Sequence, residues 1–133
     1  MSIIKYINIL FNTKQSEVPN KGHEGEQIAC KFLKKRGYKI IEKNYKCKYG
    51  EIDIIAVEKN VLCFIEVKSR RSNEYGLPEE YVDKRKQEKL IKTALVYSIA
   101  KKSNIPDRRF DVVSVDLNNL ACRVIKNAFE VNL

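Results

Sequence analysis

At 133 residues the chain has the length of one domain, with a buried core that needs no disulfide staples. Its 26 Lys and Arg against 17 Asp and Glu leave a net charge of +9 and a pI near 9.4. That balance points to a polyanionic partner, nucleic acid before membrane, with general solubility as the plain alternative. Cys30, Cys47, Cys63 and Cys122 lie far apart, without a CxxC pair and with His23 as the single histidine, which argues against a zinc site.

No stretch as long as a bilayer-crossing helix is free of charge, so no membrane span is expected. Residues 1–11, MSIIKYINILF, are apolar, but Lys5 interrupts them and no small-residue cleavage site follows, which speaks against a signal peptide. They read as a short amphipathic helix, or as an arm packing on this domain or on a second subunit. Residues 13–20 are polar, contain Pro19 and read as a linker. The expected organisation is an arm and linker over 1–20 and a single domain over 21–133.

Gly22 to Arg36 has helical spacing in Ile28, Ala29, Phe32 and Leu33, and Gly37 is placed to end it. Glu26 lies three residues before Ala29 and seven before Leu33, on the same stripe. An inward glutamate needs a reason: it is either a carboxylate reaching a site or a first-turn acid favoured by the helix dipole. Glu24 falls on the outer face, and His23 reads as an exposed residue at the helix start rather than a ligand. Cys30, on the inner face, and Cys63, in a later strand, read as reduced core thiols, which fits a cytoplasmic setting.

Tyr38 to Lys46 reads as a strand with a basic edge of Lys39, Lys43, Lys46 and Lys48. Tyr45 and Tyr49 alternate with these charges, which suits a sugar-phosphate backbone as well as a solvated edge guarded by lysines. Two further strands, Glu51–Val57 and Val61–Lys68, follow from their Val, Ile and Phe content, joined by a two-residue turn at Lys59-Asn60. With 58 paired to 61, Asp53 stands opposite Glu66, and alternation puts Glu66 and Lys68 on one face and Asp53 with Ile55 and Val57. Carboxylates facing each other destabilise a sheet and resist ionising together. A divalent cation resolves that repulsion; the alternative is solvated acids on an open face with Lys68 as an ion-pair partner. The apolar content of the third strand, which implies burial on both faces, favours the functional reading.

Ser69 to Val82 reads as a long loop, with Arg70 and Arg71 leaving the strand directly after Lys68 as phosphate contacts. Asp83 to Lys102 reads as a second helix with Asp83 as N-cap and Leu90, Ile91, Ala94, Leu95 and Ser98 inward. Lys84, Arg85, Lys86, Lys89, Lys92, Lys101 and Lys102 stand against the single acid Glu88, which suits phosphate tracking. Gln87, one turn before Ile91, is either a helper residue facing the site or a surface amide. Phe110 to Leu117 reads as a fourth strand and Arg123 to Asn127 as a fifth, at an edge. Helix, three strands, helix and strand make an α/β fold, a three-layer sandwich around a mixed sheet of four to five strands.

Asp53 followed by Glu66-Val67-Lys68 resembles the core of the PD-(D/E)xK nucleases, whose fold is restriction-endonuclease-like. The ordered set Gly22-His23-Glu24-Gly25-Glu26, Gly37-Tyr38, Asn44-Tyr45, Gly50 to Ala56, Phe64 to Arg70 and Arg109 to Val113 is closer still to the bacterial YraN-like family. Those proteins are predicted endonucleases similar to archaeal Holliday-junction resolvases. One departure is Ile52, where the superfamily commonly has Pro before the aspartate. The resemblance implies DNA phosphodiester hydrolysis with 5′-phosphate and 3′-hydroxyl products, selectivity for branched DNA, and, for a resolvase, a homodimer. Asp53 and Glu66 are then expected to hold Mg²⁺ or Mn²⁺, with Glu26 as a third acid and Lys68 positioning the attacking water. Arg70, Arg71, Lys84, Lys86 and Lys89 are expected on the DNA. Two other classes stay open: a nucleic-acid-binding protein that keeps the fold without cutting, and an interaction protein attached to a larger complex.

Overall fold

The computed structural model describes residues 21–71 and 82–129. The expected arm over 1–20 and the middle of the loop after the third strand lie outside the described residues. Helix α1 spans Lys21–Lys35, strands β1 to β3 span Lys39–Cys47, Gly50–Glu58 and Val61–Arg70, helix α2 spans Lys84–Ala100, and β4 and β5 span Asp107–Asp116 and Ala121–Ile125. The strands form one sheet in the order β1-β2-β3-β4-β5. It is mixed, because β3 and β4 run parallel while the other three pairs are antiparallel. The parallel step requires a crossover, and α2 supplies it.

The helix ends are set by local chemistry. Gly37 adopts φ 90, which an L side chain resists, and the N–H groups of Gly37 and Tyr38 donate to the carbonyls of Lys34 and Leu33. Leu33 and Tyr38 then share one apolar cluster, as this type of cap favours. Asp83 caps α2 by accepting from the Lys86 N–H at 2.8 Å. The β2–β3 turn has Lys59 and Asn60 both at positive φ (48 and 61), and the pairing from Glu58–Val61 to Ile54–Ile65 keeps the expected register.

Each face of the sheet carries one helix and one apolar cluster. Ala29, Cys30 and Leu33 of α1 pack on Ile54, Ala56, Cys63, Ile65, Val113 and Val115. Leu90, Ala94 and Tyr97 of α2 pack on Ile52, Ile55, Leu62, Phe64, Phe110 and Val112. β3 is covered on both sides, with all five residues from Leu62 to Glu66 buried. One expectation for α2 and one for β1 need correction. Leu95 is at the surface, because the inward stripe runs through Leu90, Thr93, Ala94, Tyr97 and Ser98, and Ile91 is half-buried on its flank. Tyr45 packs edge-on against Tyr97, 5.1 Å between ring centres, so it serves the core rather than a nucleic-acid backbone.

Strand alternation breaks at Asp53. Ile52 joins the α2-side cluster and Ile54 the α1-side cluster, although alternation would put both on one face. On β1 the matching irregularity is Asn44 at φ 55, between the Lys43–Ile54 and Tyr45–Ile52 pairs. Asp53 lies at this twist, while Ile55 and Val57, with which it was expected to share a face, stay with the α2-side cluster.

A second feature fixes the opposite end of the sheet. Arg109 donates to Asp111 at 2.9 and 3.0 Å, to Glu58 at 2.7 Å and to the Tyr38 hydroxyl at 3.0 Å. Lys126 reaches both Glu58 oxygens, and the Asn127 N–H donates to Asp111. Burial acts to raise the Glu58 carboxyl, but hydrogen bonds from Lys126 and Arg109 outweigh it and hold the pKa below the usual range. Two acids and two bases balance, so this network joins β2, β4, the start of β1 and the C-terminal turn without leaving a charge buried alone.

Candidate functional site

The ladder between β2 and β3 ends at Ile54–Ile65, and the next β2-facing donor of β3, the Val67 N–H, goes to Asp53 Oδ2 at 2.8 Å. The carboxylate stands where a strand carbonyl would otherwise accept, which holds Asp53 against the end of β3. Helix α1 brings Glu26 to the same place. It can approach because residue 25 is glycine, whose added β-carbon would collide with the Ser69 hydroxyl on β3. Glu26, Glu51 and Asp53 thus offer one oxygen each within 4.8 Å of one another, all partly exposed to water.

This crowding has an electrostatic signature. Burial raises the Asp53 pKa well above the usual aspartate value, Glu66 raises it further, and Glu26 and Glu51 add to the rise against the opposing Val67 hydrogen bond. Three hard oxygen donors open to water suit a cation that keeps part of its hydration shell, as Mg²⁺ does, and a positive charge there would remove the penalty on ionised Asp53. The donor set therefore fits the expected metal. Its membership differs from expectation, however. Glu51 completes the trio, and Glu66 stands outside it.

Glu66, 8% exposed, is taken up by lysines. Lys86 Nζ lies 2.7 Å from Glu66 Oε1 and Lys68 Nζ lies 3.7 Å from the same oxygen. Burial lowers the Lys68 pKa, and the neighbouring Lys86 lowers it further against the pull of Glu66 and Asp53. Burial acts on Lys86 in the same direction, but Glu66 prevails and its pKa ends above the ordinary value. Lys86 was expected as a phosphate contact. The Asp83 cap instead sets it in the first turn of α2, facing the end of β3.

The other expected site residues divide. Lys84 is exposed, as a phosphate contact requires, while Lys89 is half-buried with its Cβ against Gly50. Arg70 does not leave the strand: it is the last residue of β3, paired with Asp116. Arg71 donates to Asn118 Oδ1 at 3.0 Å, across to the β4–β5 turn. Gln87 gives its amide to the Val82 carbonyl at 2.9 Å and so secures the start of α2. His23 is exposed and pairs with Gln27, and Glu24 is exposed. Glu51 was missed although the signal was present, since an acid two residues before Asp53 shares its side of a strand.

The profile of the "Uncharacterised protein family UPF0102" matches residues 25–115. The chain belongs to that family. A UPF0102 protein of Syntrophus aciditrophicus is 47% identical over 112 residues, covering 83% of this chain and 88% of its own. One from Caldanaerobacter subterraneus is 52% identical over 97 residues, covering 73% and 80%. One from Clostridium botulinum is 50% identical over 115 residues, covering 83% and 94%. The expected YraN-like membership is borne out at this level. The matched span holds Glu26, Glu51, Asp53, Glu66, Lys68 and the Arg109–Asp111 pair, and stops before β5. No helix among the described residues is long and apolar enough to cross a membrane.

Proposed function

We propose that this UPF0102 protein is a metal-dependent DNA endonuclease of PD-(D/E)xK type. The observation that carries the reading is the convergence of Glu26, Glu51 and Asp53 within 4.8 Å at the end of the strand that presents Glu66 and Lys68. When bound, Mg²⁺ or Mn²⁺ at the trio supplies a water of lowered pKa and charge neutralisation at a phosphoryl oxygen. Lys68 orients the attacking water and meets the charge that develops on the phosphate. Glu66 fixes the Lys68 ammonium, and Lys86 supplies a positive charge beside the Glu66 carboxylate. The net charge of +9 supports a polyanionic substrate. A homodimer in the cytoplasm completes the reading, since resolving a junction takes two cuts.

The test is cleavage of linear, single-stranded and four-way-junction DNA with Mg²⁺ or Mn²⁺, comparing wild type with Asp53→Ala and Lys68→Ala. Cutting by wild type alone supports the proposal, and cutting that persists in Asp53→Ala refutes it. One observation favours a second reading, a protein that binds nucleic acid without cutting. The Lys86 ammonium, 2.7 Å from Glu66, already supplies the positive charge that a metal would bring to that acid. Binding without cleavage in all three proteins selects it.

A further inference from the structure

Helix α2 packs over β1 and β2 and reaches the C-terminal end of β3 through Lys86, and the ends of β3 and β4 continue along that face. Strand alternation from Phe64 and Val112 places Lys68, Arg70, Ser114 and Asp116 there, and the β4–β5 register adds Arg123. Lys68, Ser114 and Arg123 stand abreast in one row across three strands. A cavity of about 210 Å³ opens at this row, lined by Arg70, Ser114, Asp116, Ala121, Cys122 and Arg123.

Ser114 is 7% exposed, and its hydroxyl has no hydrogen-bond partner among the described residues. Such a hydroxyl can donate to, or accept from, a group that enters the cavity. The acid at the rim, Asp116, accepts from the Asn118 N–H at 2.9 Å. Arg70 and Arg123 already make other interactions, but each guanidinium has five N–H donors, and with the neutral Ser114 donor they favour a tetrahedral oxyanion, which Arg binds through paired N–H groups. Lys68 and Arg70, two residues apart on β3, are separated by about 7 Å along the strand, which is comparable with the separation of neighbouring phosphates on an extended nucleic-acid strand.

We propose that the Arg70–Ser114–Arg123 cavity is a second phosphate subsite, holding the phosphodiester next to the scissile one on the same DNA strand. It rests on the nuclease reading for what lies at Lys68, and it sets the path on which that strand crosses the trio, over β4 toward β5. Arg123 is exposed on an edge strand, so its replacement tests the site without breaching the core.

The experiment measures binding of a short single-stranded DNA, without divalent ions so that cutting does not intervene, to wild type, Arg123→Ala and Arg123→Gln. The expected result is about tenfold weaker binding by both variants, with a salt dependence shallower by about one counterion. Uncharged methylphosphonate links placed in turn along the DNA should lower wild-type affinity at one position and have no effect there in Arg123→Ala. Equal binding and equal salt slopes in all three proteins overturn the subsite, as does a methylphosphonate penalty that survives in Arg123→Ala. Failure of the nuclease reading shows separately, as wild-type DNA binding through Arg123 with no cleavage when Mg²⁺ is added.

Discussion

Asp53 is the residue on which the chemistry and the stability of this protein meet. Its folded pKa lies above the unfolded aspartate value of about 3.9. Between those two values the unfolded chain releases its proton while the native state keeps it, so stability falls as pH rises through that window. Asp53→Asn keeps an oxygen for the Val67 N–H and removes the charge penalty. Thermal unfolding without divalent ions should show it melting above wild type at pH 7, with the gap narrowing as pH falls toward the ordinary aspartate range. A variant less stable than wild type at pH 7 would contradict the crowding. The register from Glu58–Val61 to Ile54–Ile65 was legible from the turn, because Lys59-Asn60 fixes it, although the ladder stops one residue short of the expected 53–66 pair. The position of Glu66 beside Lys86 was not, since it depends on how α2 docks, and no periodicity within β3 encodes that.

At the scale of elements, the approach of α1 to β3 at Gly25 sets where Glu26 sits. Gly25→Ala puts a methyl group into the Ser69 hydroxyl, and the shift that follows moves Glu26 away from Asp53. The expected outcome is a folded protein, seen by circular dichroism, with divalent-cation affinity reduced at least as much as in Glu26→Gln. The Arg109 network acts at the other end. Asp111 is 1% exposed and accepts from Arg109, Tyr38 and Asn127, so Asp111→Ala should cost about 3–5 kcal/mol in denaturant unfolding. A cost near that of a surface change would mean the network carries no stability. The helices and the first three strands could be read from periodicity, capping residues and β-branched content. Arg109 and Asp111 could not be assigned from the same signals, because a charged pair in an apolar strand reads as a motif until Glu58 and Tyr38 are seen beside it.

Over the whole molecule, the two helices lie on opposite faces of one mixed sheet, and both deliver charged groups to the same end of β3: Glu26 from one side and Lys86 from the other. The order of elements was sufficient to give the sandwich, while the twist at Asn44 and Asp53 arises from the β1–β2 ribbon as a pair and is invisible in either strand alone. The proposed nuclease activity and the proposed role of Lys68 both require that Glu26, Glu51 and Asp53 hold a divalent cation. Titration of the protein with Mn²⁺, read as loss of the free-ion electron paramagnetic resonance signal, tests this directly. Saturable binding that Mg²⁺ competes away and that Asp53→Ala and Glu51→Gln abolish is the predicted result. A free-ion signal unchanged by wild-type protein, or lowered equally by the variants, would contradict it.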